Sequence, residues 1–254
     1  MKPVWDLLSN PRMPGHDGYF EHMRAELVDL FTAPPRLFVD VGCGIGLTGA
    51  EVKRRYPNAI VDGFEYHAEA AALAAERLDH VHHGDVAALD IARYYAPKSI
   101  DALLLADVLE HLYDPWNFLV RIRPYLTPDA QVIASIPNIR NLFFLDALAS
   151  GTFAYEPAGL LDVTHIRFFS RADIMQMFDE TGYEVTWMAS VRDGRIADMS
   201  TATFPVNLET TNLVIKAVTP EALAEYSTIQ FYLRAHPRAI ESDESTASGG
   251  GSGT

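Results

Sequence analysis

Val39-Asp40-Val41-Gly42-Cys43-Gly44-Ile45-Gly46 is the stretch on which the reading of the whole chain turns. An apolar run ends in three glycines at alternate positions, and the residues after them have helical character. Glycine lets the backbone turn sharply and lets a ligand approach the main chain closely. The helix start beyond it presents unpaired N–H groups. Many nucleotide-binding folds share that arrangement, so the spacing has to discriminate. The dinucleotide fingerprint needs a further glycine at position 47, which is Leu47 here. The observed pattern is D-x-G-x-G-x-G, with Asp40 where dinucleotide enzymes usually carry an apolar residue. Asp40 repels a pyrophosphate but not a ligand bearing an ammonium and a sulfonium. The loop therefore favours S-adenosylmethionine over a nicotinamide cofactor.

Outward from the loop, short β-branched runs at 36–41, 59–64, 101–106 and 131–136 alternate with helix-like stretches at 46–56, 67–78 and 114–126. Such alternation reads as βαβ crossovers and a parallel sheet covered on both faces. His80 to His83 adds a short strand. Further on, the runs 184–190 and 212–217 follow a helix at 171–181, and their polar connection predicts an antiparallel pair. Residues 17–33 predict an amphipathic helix, with Phe20, Met23, Leu27 and Leu30 as its core stripe, stopped by Pro34-Pro35. Residues 1–35 are then a cap region and 36–240 the main domain. The stretch 137–170 inside that domain is long enough to be a lid or substrate insert. The Ser/Gly-rich tail 241–254 is expected to be disordered.

Two acids fit the same site. Glu65 ends the second strand, where a carboxylate can accept both ribose hydroxyls, and Asp85 follows the third, within reach of an adenine amino group. Either alone also reads as a solvated loop acid. Their places at the ends of successive strands, where open α/β sheets bind ligands, favour binding.

Composition narrows the classes. The net charge of −14 argues against a phosphate-gripping basic face. It leaves a small-molecule acceptor as the expected partner and nucleic acid as an unexpected one. With one cysteine, Cys43, neither an intrachain disulfide nor a thiolate zinc cluster forms. The start of the chain lacks a signal-peptide core, and no apolar run reaches bilayer length, so the expected location is the cytoplasm. The oligomeric state is left open, a homodimer included.

On these residues the chain resembles the class I S-adenosylmethionine-dependent methyltransferases from Gly18 to about Ala217. Ala106-Asp107-Val108-Leu109-Glu110-His111-Leu112-Tyr113-Asp114-Pro115 is similar to the segment after the fourth strand in their quinone-biosynthesis-like branch. Ser135-Ile136-Pro137-Asn138 fits the exit of the fifth. Gly159 to Ser170, with Leu161-Asp162-Val163-Thr164-His165-Ile166-Arg167-Phe168-Phe169, resembles a signature of bacterial methyltransferases found with glycosyltransferases. Val163 stands where those relatives commonly carry a basic residue. The resemblance implies a Rossmann-like, mostly parallel seven-stranded sheet whose last strand is antiparallel. It implies methyl transfer to a sugar, quinone, lipid or other small molecule, without saying which.

Asp40, Gly42, Gly44, Gly46, Glu65, Asp85 and Asp107 are the expected cofactor residues, with Glu110 a helix-start acid. If the acceptor is a hydroxyl, His165 is the first candidate for its base; its alternative is tying the loop to a backbone carbonyl. His111 is the second candidate, with packing near the methionine moiety the favoured role. Tyr19, Asn138, Arg140 and Arg167 are candidate acceptor contacts, and Arg24 with Tyr19 is expected to cap the site. Phe143, Phe144, Phe153 and Tyr155 either line an apolar pocket or pack the insert. No metal is expected, because His82 and His83 alternate across a strand. An O-methyltransferase acting on a sugar- or glycan-related acceptor leads. N-, C-, quinone or lipid methylation, and cofactor binding without catalysis, stay open beside it.

Overall fold

The computed structural model describes residues 4–9, 18–196 and 202–239. The expected disordered tail lies outside them. The strands are β1 Leu37–Val41, β2 Ile60–Glu65, β3 His80–His83, β4 Ile100–Ala106, β5 Leu126–Pro137, β6 Tyr183–Arg192, β7 Val206–Glu209, β8 Val214–Val218 and β9 Thr228–Pro237. The helices are α1 Asp6–Ser9, α2 Ala25–Val28, α3 Leu47–Arg55, α4 Ala68–Ala74, α5 Pro115–Ile122, α6 Leu142–Ala149, α7 Arg171–Glu180 and α8 Pro220–Tyr226.

Seven strands form one sheet in the order β3-β2-β1-β4-β5-β9-β6. β1 to β5 pair in parallel, while β9 runs antiparallel to both β5 and β6. The expected Rossmann-like sheet with an antiparallel last strand is present. Successive residues of β4 feed opposite layers: Leu103 and Leu105 face the core with α5 and α7, and Ala102 and Leu104 face the one with α2 and α3. Both faces being covered explains why the central strands are apolar without alternation.

Two expectations are corrected here. The runs 184–190 and 212–217 do not pair. β6 lies against β9, whereas β8 pairs with β7 in a separate two-stranded sheet. That sheet packs with α6 and α8 around Leu142, Leu208, Val218 and Leu223. The strand that completes the main sheet lies beyond Ala217, where the resemblance was taken to end.

The long helix expected over 17–33 is a 3-10 turn at Tyr19–Glu21 and the one-turn α2, separated by extended residues. Tertiary contacts override the helical pattern. The Phe20 carbonyl accepts from Ile45 N–H at 3.4 Å, and Arg24 N–H donates to Thr48 Oγ1 at 3.0 Å. Leu27 is buried, but Met23 is 48% exposed, so the stripe is not a single core face.

β9 carries Phe231 into the main core. Phe231→Ala is expected to cost about 3–5 kcal/mol in urea denaturation. Val214→Ala, at a half-exposed position of the small sheet, is expected to stay within about 0.5 kcal/mol. Equal costs would show that β9 is not a core strand.

Candidate active site

Parallel pairing brings the ends of β1, β2, β3 and β4 to one edge of the sheet, and the glycine loop leaves from there. Gly42, Gly44 and Gly46 all have left-handed φ, at 72°, 55° and 82°. Side chains are strained in that region. Gly42 N–H and Cys43 N–H both donate to the Phe64 carbonyl, at 2.8 and 3.1 Å. Gly44 N–H donates to Glu65 Oε2 and His67 N–H to Glu65 Oε1, each at 2.8 Å. The Glu65 carboxylate thus braces the loop and the approach to α4. A Cβ on Gly44 would stand 2.8 Å from the Phe20 carbonyl oxygen, and one on Gly46 would stand 3.2 Å from Ala74 Cα.

Asp40 lies buried on the same side of the sheet as Glu65. Burial, with the Glu65 charge adding to it, pushes the Asp40 carboxyl up from 3.8 to about 8. Burial also raises Glu65, against the N–H bonds from His67 and Gly44. A buried acid whose ionisation a neighbouring acid hinders suits a ligand that brings positive charge and opposes a pyrophosphate. Asp85 is exposed at the end of β3 and accepts from Ala87 N–H at 2.9 Å.

Asp107 follows β4 with a left-handed φ of 54°. Its N–H donates to Ser135 Oγ at 3.1 Å, and its carboxylate receives Arg24 and Gln230. Arg24 also reaches the Tyr232 hydroxyl at 3.3 Å. Gln230 and Tyr232 of β9 are partners of Asp107 and Arg24 that the sequence reading missed. Tyr19 stands edge-on to Phe20, and Phe20 packs on His67.

The next group is built by two segments docking. Ile166 N–H and Arg167 N–H both donate to the Glu110 carbonyl at 3.0 Å. Asp162 Oδ1 accepts from Thr164 N–H at 2.8 Å and from its hydroxyl at 2.7 Å, shaping the turn that presents His165. His165 Nδ1 lies 3.0 Å from the Leu160 carbonyl, and His111 Nδ1 lies 3.2 Å from the Thr164 carbonyl. A carbonyl only accepts, so Nδ1 of His165 carries the proton; Nδ1 of His111 also lies 3.1 Å from the Thr164 hydroxyl, whose own proton goes to Asp162, which gives it the same tautomer. The two rings meet edge-to-face at 4.7 Å. His165 therefore makes the carbonyl tie foreseen as its structural role and remains chemically competent at Nε2.

Glu110 lies in the first turn of the 3-10 helix Leu109–His111, as expected of a helix-start acid, and is 1% exposed, inside the core edge. Burial first, and the Asp107 charge second, hold its carboxyl well above the ordinary carboxylate range. One ligand atom each from Glu110, His111 and His165 lies within 4.8 Å of the others. The expectation of no metal had weighed only the β3 histidines and did not weigh this grouping. On β3, His80 Nδ1 pairs with Asp62 at 2.8 Å, and His82 stacks on Tyr94 at 4.1 Å.

The candidate acceptor contacts mostly hold structure together. Asn138 is fully buried; its amide donates to the Glu225 and Thr228 carbonyls at 2.8 and 2.9 Å, and its oxygen accepts from Arg140 N–H. Arg140 bonds Glu225 and the Tyr226 hydroxyl, at 3.0 and 2.8 Å. Arg167 donates to the Tyr113 carbonyl at 3.0 Å and stacks on that ring. Phe153 packs against Phe144, Tyr155 and Phe168, while Phe143 lies under Arg195.

The displaced Asp40 carboxyl sets a pH dependence. The unfolded chain ionises Asp40 near its ordinary value of 3.8 and the folded one near 8. The unfolded state therefore holds fewer protons between those values, and Asp40's contribution to stability falls as pH rises across that window. The loss is up to about 1.4 kcal/mol per pH unit. Urea melts at pH 6, 7 and 8 are expected to show Asp40→Asn gaining on the wild type as pH rises; parallel curves would refute the buried-acid account.

Residues 39–132 match the family described as "Methyltransferase domain". Among solved structures, the fold is similar to a chain of the complex between the Haloferax volcanii Trm112 methyltransferase activator and a methyltransferase. The identity is 16%, with 94% of this chain and 96% of that one covered and a TM-score of 0.60. It is similar to the magnesium protoporphyrin IX methyltransferase of Synechocystis, solved with S-adenosylhomocysteine, at 16% identity, 85% and 80% coverage and a TM-score of 0.51. The cyclase SpnF is similar at 15% identity, 85% and 80% coverage and a TM-score of 0.57.

Proposed function

We propose that the protein, whose residues 39–132 match a methyltransferase domain, binds S-adenosylmethionine and methylates a hydroxyl oxygen of a small sugar- or glycan-related acceptor. The observation that carries hydroxyl chemistry is the Glu110–His111–His165 group, which puts two imidazoles and a buried carboxyl next to Asp107. The sugar-related acceptor rests on the resemblance carried by Gly159 to Ser170.

S-adenosylmethionine supplies a methyl carbon on a sulfonium, so transfer is an in-line displacement in which the acceptor O–C bond forms as the S–C bond breaks. Gly42, Gly44 and Gly46 supply the backbone cradle, and Asp40 and Glu65 an acidic corner whose ionisation the ligand's cationic group favours. Asp107, pinned by Arg24 and Gln230, closes the neighbouring side. With side chains alone, His165 Nε2 is the proton acceptor, and its Nδ1 bond to Leu160 fixes the competent tautomer. Positioning can supply about 7–11 kcal/mol of such a barrier, and a base about 10²–10⁴-fold.

Cofactor binding without transfer is the competing reading, favoured by the presence of a cyclase among the proteins that share the fold. No described helix is long and apolar enough to cross a membrane, and we place the activity in the cytoplasm.

Calorimetric titration is expected to show S-adenosylmethionine and S-adenosylhomocysteine binding and NAD not binding. Glu65→Ala should weaken the adenosyl ligands at least about tenfold, since it removes the loop brace and a hydroxyl acceptor together. Binding of NAD alone would overturn the assignment. With an acceptor found by screening hydroxylated metabolites, His165→Ala is expected to lower turnover about 10²-fold or more while S-adenosylhomocysteine affinity survives. Unchanged turnover would remove His165 from the chemistry.

A further inference from the structure

We propose that Glu110, His111 and His165 bind a divalent first-row transition-metal cation, which holds the acceptor hydroxyl for methylation. The coordination stands on these side chains alone; its use in catalysis rests on the O-methylation reading above.

Glu110 gives the first independent reason. It is 1% exposed, and among the described residues no other residue donates a hydrogen bond to its carboxylate. A buried carboxyl left so is costly unless it is neutral or meets a cation. The second reason is the pair of imidazoles. Each Nδ1 is committed to a carbonyl, Leu160 for His165 and Thr164 for His111. Outer hydrogen bonds of this kind orient metal-ligating histidines.

Geometry supplies the third. The candidate ligand atoms fall within 4.8 Å of one another. Metal–ligand bonds of about 2.0–2.2 Å hold neighbouring ligand atoms roughly 3–4 Å apart. Closure by up to about 1–2 Å, through side-chain rotation, completes the set. Asp107 is committed to Arg24 and Gln230. The protein therefore offers two nitrogens and a carboxylate, with further positions left for solvent or an acceptor oxygen. His111 is only half-buried and marks the side from which the cation enters. Two imidazoles with one carboxylate suit zinc, iron or manganese better than magnesium, which prefers an all-oxygen shell.

A bound cation lowers the pKa of a coordinated hydroxyl. The O–H proton then leaves to solvent, the oxygen forms the new bond to the methyl carbon as the S–C bond breaks and S-adenosylhomocysteine departs, and His165 acts as a ligand instead of a base. An acceptor with adjacent oxygens, such as a vicinal diol, fits the open positions by chelation.

The test uses chelator-dialysed full-length protein without methyl donor or acceptor, titrated with MnCl2 and followed by loss of the free Mn²⁺ electron paramagnetic resonance signal. About one equivalent should be taken up, displaced by ZnCl2 and resistant to a tenfold excess of MgCl2. Glu110→Gln and His165→Ala should each weaken uptake at least about tenfold while still binding S-adenosylhomocysteine, which reports folding. Wild-type protein that binds S-adenosylhomocysteine but no Mn²⁺ or Zn²⁺ at millimolar concentration overturns the site, as does unaltered uptake by either folded variant. Zinc-edge X-ray absorption of the wild type needs no variant: imidazole scattering supports the assignment, and its absence from a bound zinc refutes it. Loss of S-adenosylhomocysteine binding by the wild type would instead count against the methyltransferase reading, so the two failures are distinguishable.

Discussion

The Phe64 carbonyl, which receives both Gly42 N–H and Cys43 N–H, is the contact on which the rest of the site depends. It ties the loop leaving β1 to the end of β2, so the parallel register of these strands is carried directly into the loop. One residue later the Glu65 carboxylate takes Gly44 and His67. A loop without side chains at three alternate positions would otherwise be free to wander. Here two successive residues of the neighbouring strand hold it.

The second half of the site is assembled by a different means. No strand pairing positions His165; a turn braced by Asp162 does, docked through two N–H groups on the Glu110 carbonyl. The main chain of Glu110 therefore serves the architecture, while among the described residues no other residue donates to its carboxyl beside the two imidazoles. Asp107 joins the halves, since its strained backbone is held by Ser135 and its carboxylate by the N-terminal segment and β9. Left-handed backbone at a non-glycine residue persists only where its surroundings over-determine it, and Asp107 is held on several sides.

Much of this was legible in sequence because it is local. The glycine spacing, the acid ending β2 and the alternation of strand and helix each lie within a short window whose periodicity states its structure. What could not be read is non-local. Glu110 and His111 meet His165 across an insert with no regular period. β9 was missed because Thr228 to Pro237 mixes polar and apolar residues, as befits a strand with partly exposed flanks. The run at 212–217 looked more strand-like and forms a strand, but in the smaller sheet. The leading segment failed for the opposite reason. Its helical pattern is genuine, yet Phe20, Arg24 and their partners on the loop offer it better hydrogen bonds than a continuous helix would.

The Phe20 carbonyl resting against Gly44 has a consequence for how variation at that loop is interpreted. Position 44 is constrained from within the chain, whatever ligand lies on its other side. A substitution there disturbs the N-terminal segment first, and through Arg24 the carboxylate of Asp107. Loss of activity at Gly44 would then be a folding phenotype transmitted to the site, and compensating changes would be found among residues 18–24 as readily as among those that hold the ligand.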